Sequence, residues 1–125
     1  MNLLLDTHVL LWWLDDGPTL SERAREVIGD GANAAFVSVA ALWEIRIKEA
    51  LGKLALPDDF EQVLEREPFL VLDVKAPHVH ALKDLPMLHR DPFDRLLVAQ
   101  AQTERLTLVT RDPVIHRYDV RCVVA

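Results

Sequence analysis

Four acidic residues stand where a carboxylate is costly unless something compensates it. Asp6 closes the apolar run Asn2-Leu-Leu-Leu, and Asp112 comes two residues after Thr107-Leu-Val-Thr110. Asp94 lies in a Pro-Phe-Asp segment that begins at Asp91, and Glu44 is the only charge between Phe36 and Ile45. Burying a lone carboxylate is strongly unfavourable, and gathering several adds mutual repulsion. Neighbouring basic residues relieve part of that cost, and bound divalent cations relieve more. Oxygen donors without a His or Cys set point to magnesium or manganese rather than zinc.

Taken singly, three of these acids have plainer explanations. Asp6 suits an N-cap for a helix at Thr7, and Asp112 suits a cap for the turn before Ile115. Asp94 suits the third position of a helix, where an acid complements the dipole. Glu44 has no such account, because the helix faces around it are apolar. The case for chemistry rests on whether the fold brings all four together.

The elements that must position them follow from pattern and punctuation. Short apolar runs at 2–5, 34–37, 69–72, 107–110 and 120–124 read as strands. The spacing predicts helices over 7–14, 19–29, 39–51, 58–67, 76–85 and 92–104. Thr19 and Glu22 have capping-box spacing, Ser38 is a good N-cap, and Gly52 closes the helix it starts. Asp91 followed by Pro92 is an N-cap with proline at the first helical position. Strands alternating with helices, with no tight hairpin signal, predict a three-layer α/β/α sandwich around a five-stranded parallel sheet. In such sheets ligands gather at the carboxyl ends of the strands, where strand order reverses. Asp6 and Asp112 follow strand ends, and Glu44 and Asp94 lie in the first two turns of helices, so one edge can hold all four.

Composition bounds the rest. A chain of 125 residues fits one domain, residues 1–125, with enough length to bury a core. No signal peptide is visible, and the apolar stretch 3–14 is too short to span a bilayer, so the expectation is a cytoplasmic protein without a membrane partner. The single cysteine, Cys122, reads as a buried free thiol. The net charge of −6 looks unsuited to a polyanion ligand. Of 20 acidic residues facing 14 basic ones, setting the four aside leaves 16 against 14, a balance of −2. Bound cations would then reverse the local field.

The segments Leu3-Leu-Leu-Asp-Thr-His-Val-Leu-Leu-Trp12 and Ser38-Val-Ala-Ala-Leu-Trp-Glu-Ile45 resemble the PIN-domain family. So do His89-Arg-Asp-Pro-Phe-Asp-Arg-Leu-Leu-Val-Ala-Gln-Ala101 and Leu108-Val-Thr-Arg-Asp112, and the likeness spans essentially the whole chain. This version is similar to the VapC-type toxins of toxin–antitoxin pairs. The resemblance implies strand order 3-2-1-4-5, and Asp6, Glu44, Asp94 and Asp112 as metal-binding acids. It also implies hydrolysis of RNA phosphodiester bonds with one or two Mg²⁺ or Mn²⁺ ions, a cognate antitoxin, and a homodimer.

Other residues have two readings each. Thr7 and Thr110 could hold a carboxylate or a bound water, or serve turn chemistry. Asp91 could be a fifth acid of the site, although capping explains it. Ser38 reads as a cap. Arg46, Lys48, Arg90, Arg95 and Arg111 could meet RNA phosphates or make surface salt bridges. His8 could face the site or pack, whereas His78 and His80 point to different helix faces and do not form a metal pair. Trp12, Trp13 and Trp43 read as core, with one of the adjacent pair free for a protein contact.

Rival chemistries lack their residues. A phospho-accepting receiver domain needs an acidic pair at strand one, and a haloacid-dehalogenase-type phosphatase needs Asp-x-Asp there, but this chain has Asp6-Thr-His. The four glycines, Gly17, Gly29, Gly31 and Gly52, form no phosphate loop. A non-catalytic interaction module on the same fold is the remaining alternative.

Overall fold

The computed structural model describes residues 1–125. Five strands, β1 (Asn2–Leu5), β2 (Ala34–Ser38), β3 (Leu70–Leu72), β4 (Thr107–Thr110) and β5 (Cys122–Val124), form one parallel sheet in the order β3-β2-β1-β4-β5. The helices are α1 (Thr7–Asp15), α2 (Glu22–Gly29), α3 (Val39–Ala50), α4 (Phe60–Glu65), α5 (Ala76–Ala81) and α6 (Pro92–Glu104). The three-layer sandwich and its strand order are those expected.

Alternation along β1 divides the core. Leu3 and Leu5 point to the face covered by Val9 and Leu10 of α1 and by Ala24, Val27 and Ile28 of α2. Leu4 points to the opposite face, into a second cluster with Leu97, Val98 and Ala101 of α6. Both faces of the central strands are therefore buried, which is why β1 and β4 read as continuous apolar runs. Strand order reverses between β1 and β4, whose register pairs Leu5 with Val109. That register sets the residues after both strands side by side. No helix is long and apolar enough to cross a membrane.

Several boundaries differ from those expected, for local reasons. The cap of α2 is Ser21 rather than Thr19: its hydroxyl accepts from the Ala24 amide at 3.0 Å and donates to the Val124 carbonyl at 2.9 Å. The helix over 76–85 is shorter, giving way after Ala81 to a 3₁₀ turn over Leu82–Asp84. Leu85 is extended, as a residue preceding a proline tends to be. The helix over 58–67 contracts to α4, whose N-cap Asp59 makes no side-chain cap bond. Cys122 is half-buried rather than buried, and burial pushes its thiol upward. Trp43 departs furthest from expectation, being 61% exposed. The buried stripe of α3 is Ala40, Ala41, Glu44 and Ile45, which turns Trp43 outward to meet Phe93 edge-on at 5.2 Å.

Candidate active site

Asp6 leaves β1 and caps α1, with only 5% of its surface exposed. Its Oδ1 accepts from the His8 amide at 3.2 Å, and its Oδ2 accepts from the Thr110 hydroxyl at 2.6 Å. Burial raises its pKa, and those two hydrogen bonds offset part of the rise. Thr110 also ties the neighbouring strand to the site, because its Oγ1 accepts from the Asp112 amide at 3.1 Å. One buried hydroxyl thus fixes two of the four acids relative to each other.

Asp112 accepts from the Val114 amide at 2.8 Å through Oδ1, so it caps the following turn as well as facing the site. Its Oδ2 lies 2.7 Å from His89 Nε2. Burial alone would raise its pKa, but the His89 contact and the Val114 amide outweigh it, and the net shift is downward. Asp94, in the first turn of α6, lies 3.2 Å from the same His89 nitrogen. Burial pushes Asp94 up to about 7, with the carboxylates of Asp6, Asp91 and Glu44 adding to the rise and His89 opposing it.

Glu44 answers the question raised by its apolar setting. It is 3% exposed, and both oxygens have partners within the chain. The Thr7 hydroxyl donates to Oε1 at 2.7 Å, and the Lys48 ammonium, one turn along α3, approaches Oε2 at 2.8 Å. That hydrogen bond to Glu44 raises the Lys48 pKa against the opposing pull of burial.

Asp6, Asp94 and Asp112 line one open pocket of about 460 Å³ with His8, Val9, Trp12, Arg111 and Pro113. Glu44 does not line it; it stands behind, close enough for its charge to raise both Asp6 and Asp94. His8 faces the pocket. Asp91 accepts from the amides of Phe93 at 2.8 Å and Asp94 at 3.2 Å, so capping is its observed role. Ser38 likewise caps α3, accepting from the Ala40 amide at 3.0 Å.

The basic residues divide in the same way. Arg46 pairs with Glu49 and Glu61, and Arg95 donates to the carbonyls of Pro86 and Leu85. Neither lines the acidic pocket. Arg111 lines the pocket, its guanidinium 4.5 Å from the Trp12 ring centroid and held by the carbonyls of Ala125 and Thr19. Arg90 is exposed. His78 is buried against Glu104 at 2.7 Å, away from the acids, and His80 is exposed on the same short helix.

His89 is the residue that sequence reasoning missed. A ring nitrogen of His89 and one oxygen each of Asp94 and Asp112 all lie within 4.8 Å of one another. The signal was present in the His89-Arg-Asp-Pro-Phe-Asp segment, but nothing local marks a histidine whose hydrogen-bond acceptor, Asp112, is 23 residues away. A cluster rich in carboxylate oxygens fits a hard divalent cation.

A parallel three-layer sandwich with acids gathered where strand order reverses defines a class of site before any comparison. The chain belongs to the PIN-domain family, whose model matches residues 3–121. No curated protein matches the sequence. Among solved structures, the chain is similar to one in VapBC2 from Rickettsia felis bound to a DNA fragment from its promoter. The TM-score is 0.75 at 18% identity, covering 98% of each chain. DNA-bound VapBC from Salmonella typhimurium contains a similar chain, with a TM-score of 0.72 at 18% identity, covering 98% of this chain and 97% of that one. FitAcB from Neisseria gonorrhoeae gives 0.66 at 22% identity, covering 98% and 96%. At these identities the likeness establishes the fold.

Proposed function

We propose that this chain is a divalent-metal-dependent endoribonuclease and the toxin of a toxin–antitoxin pair. In this reading the whole of 1–125 is one PIN domain, cytoplasmic, working as a homodimer and restrained by a cognate antitoxin. The observation that carries the nuclease reading is the convergence of Asp6, Asp94 and Asp112 from β1, α6 and β4 in one open pocket. Such a gathering of carboxylates is unfavourable by itself and favourable around a cation. The toxin role is supported by the VapBC and FitAcB complexes among the structural neighbours.

Asp94 and Asp6 are assigned as direct metal ligands, with Asp112 and Glu44 completing the acidic set directly or through water. A bound Mg²⁺ or Mn²⁺ ion would neutralise the scissile phosphodiester, activate the attacking water and stabilise the leaving oxygen. The chain's own residues prepare for this. Thr110 and the His8 amide orient Asp6. Thr7 and Lys48 keep Glu44 in place behind the pocket, where its charge adds to the field. Arg111 gives the pocket wall a positive group suited to a phosphate oxygen.

The test is an incubation of purified, antitoxin-free protein with structured RNAs in Mg²⁺ or Mn²⁺, in EDTA, and beside Asp6→Asn. Internal cleavage that needs metal and is lost in the variant is the expected result. Cleavage that persists in EDTA, or in folded Asp6→Asn, would overturn the mechanism. The toxin role is checked separately, by expressing the chain alone and together with any small protein that its neighbouring gene encodes. Growth arrest relieved by that protein is expected.

A further inference from the structure

We propose that His89 is a positioning residue of this acidic site: its Nε2–H donates to Asp112 and holds that carboxylate beside Asp94. The inference rests on the metal-dependent reading above and assigns a role to a residue outside the four acids. At first sight the cluster resembles a site of two carboxylates and one imidazole, with His89 as the third ligand. The hydrogen bonding of the ring argues otherwise. The Asp91 backbone amide donates to His89 Nδ1 at 3.0 Å. A neutral imidazole has one acceptor nitrogen and one donor nitrogen. With Nδ1 fixed as acceptor, the proton belongs on Nε2, and a protonated nitrogen donates rather than ligates.

That donor makes its hydrogen bond to Asp112 Oδ2 at 2.7 Å, and Asp94 Oδ2 stands close by, 3.2 Å from the same nitrogen. The two acids arrive from different elements, α6 and the turn after β4, and repel each other when ionised. The positive end of the N–H dipole lies between them, counters that repulsion and fixes Asp112 next to Asp94. The histidine is itself fixed from behind. Tyr118 Oη accepts from the amides of Leu88 at 3.1 Å and His89 at 2.8 Å, and donates to the Pro86 carbonyl at 2.8 Å. Arg95 donates to that same carbonyl at 2.8 Å. The loop before α6 is thereby anchored to the tyrosine that follows the turn after β4, so His89 and the segments carrying both acids share one support.

Groups that orient the ligands of a metal site typically contribute about 10–100-fold to its affinity. The test measures Mn²⁺ and Mg²⁺ binding by calorimetry for the wild type, His89→Gln, His89→Asn and His89→Ala, with melting curves confirming that each is folded. Glutamine can place an amide N–H near the Nε2 position, whereas asparagine, about as polar, falls short of the carboxylates. Near wild-type affinity is expected for His89→Gln, and a loss of about tenfold or more for His89→Asn and His89→Ala. At alkaline pH, where the ring is neutral, its nitrogen-15 spectrum should show Nδ1 bare and Nε2 protonated, both without metal and with Mg²⁺.

Imidazole nitrogen coupling in the electron-spin spectrum of the Mn²⁺ protein, with His89→Gln as weak as His89→Ala, would make His89 a ligand and overturn the proposal. Unchanged affinity in His89→Ala would overturn it too, while leaving the nuclease reading intact. A wild type that binds neither cation would instead remove the metal-dependent reading itself, and with it this role.

Discussion

At Asp94, burial and like charge meet. Its pKa of about 7 in the folded, metal-free protein compares with an ordinary value of 3.8. Between those limits the folded state keeps a proton that the unfolded chain has released, so stability falls as pH rises through that window. Asp112 shifts the other way, and the stability it contributes is lost only as pH falls below the ordinary carboxylate range. The two effects therefore occupy different windows. In EDTA, the melting temperature is expected to fall between about pH 4 and pH 7, and Asp94→Asn should flatten that fall. Some slope should remain, since Asp6 is also raised. An unchanged slope in the variant would mean that Asp94 stays ionised throughout.

The same residues show how far sequence reasoning reaches at this scale. Asp6 and Asp112 were legible because an acid ending an apolar run is visible from its neighbours alone. Glu44 was legible as an anomaly, but its compensation was only half so. Lys48 lies one helical turn away, whereas Thr7 comes from a different element. His89 was not legible as a functional group, because its role depends on two acids from different elements and on a backbone amide aimed at its other nitrogen.

At the scale of elements, α6 was the most readable part of the chain, and its start also carries Asp94 into the pocket. Asp91 and Pro92 fix where the helix begins, and the Asp91 carboxylate accepts from two otherwise orphaned amides, one of them that of Asp94. Losing an N-cap costs about 0.5–2 kcal/mol. Asp91→Ala is therefore expected to lower unfolding free energy by about that much, read by chemical denaturation. It should also weaken Mg²⁺ binding, since Asp94 would start from a frayed turn. Asp91→Ser, which keeps a cap, should recover most of the stability. If alanine and serine behave alike, capping is not what Asp91 contributes. Elements whose ends depend on tertiary contacts were harder to read. The cap of α2 uses the Val124 carbonyl from the far end of the chain. Trp43 was misassigned because α3 buries a stripe that includes an acid, which rotates the aromatic side chain outward.

At the scale of the whole molecule, the sheet order converts distant acids into neighbours and leaves the fold holding repulsion at the carboxyl edge of its sheet. The net charge of −6 points the same way. A ligand that binds only the folded state adds stability of RT ln(1 + [L]/Kd), about 2.7 kcal/mol at a hundredfold excess over Kd. A cation bound at these acids should therefore raise the melting temperature by several degrees at saturating Mg²⁺, measured by calorimetry at pH 8. Protons compete for the same carboxylate, so the increment should shrink as pH falls below about 7, where Asp94 takes up its proton. Asp94→Asn should melt higher than the wild type in EDTA at pH 8, having lost an ionised group from a crowded site, yet gain little from Mg²⁺. That crossover separates a metal site from a general salt effect, which would raise both proteins alike at both pH values. Equal melting of the wild type in EDTA and in saturating Mg²⁺ at pH 8 would leave the clustered carboxylates without the cation that best explains them.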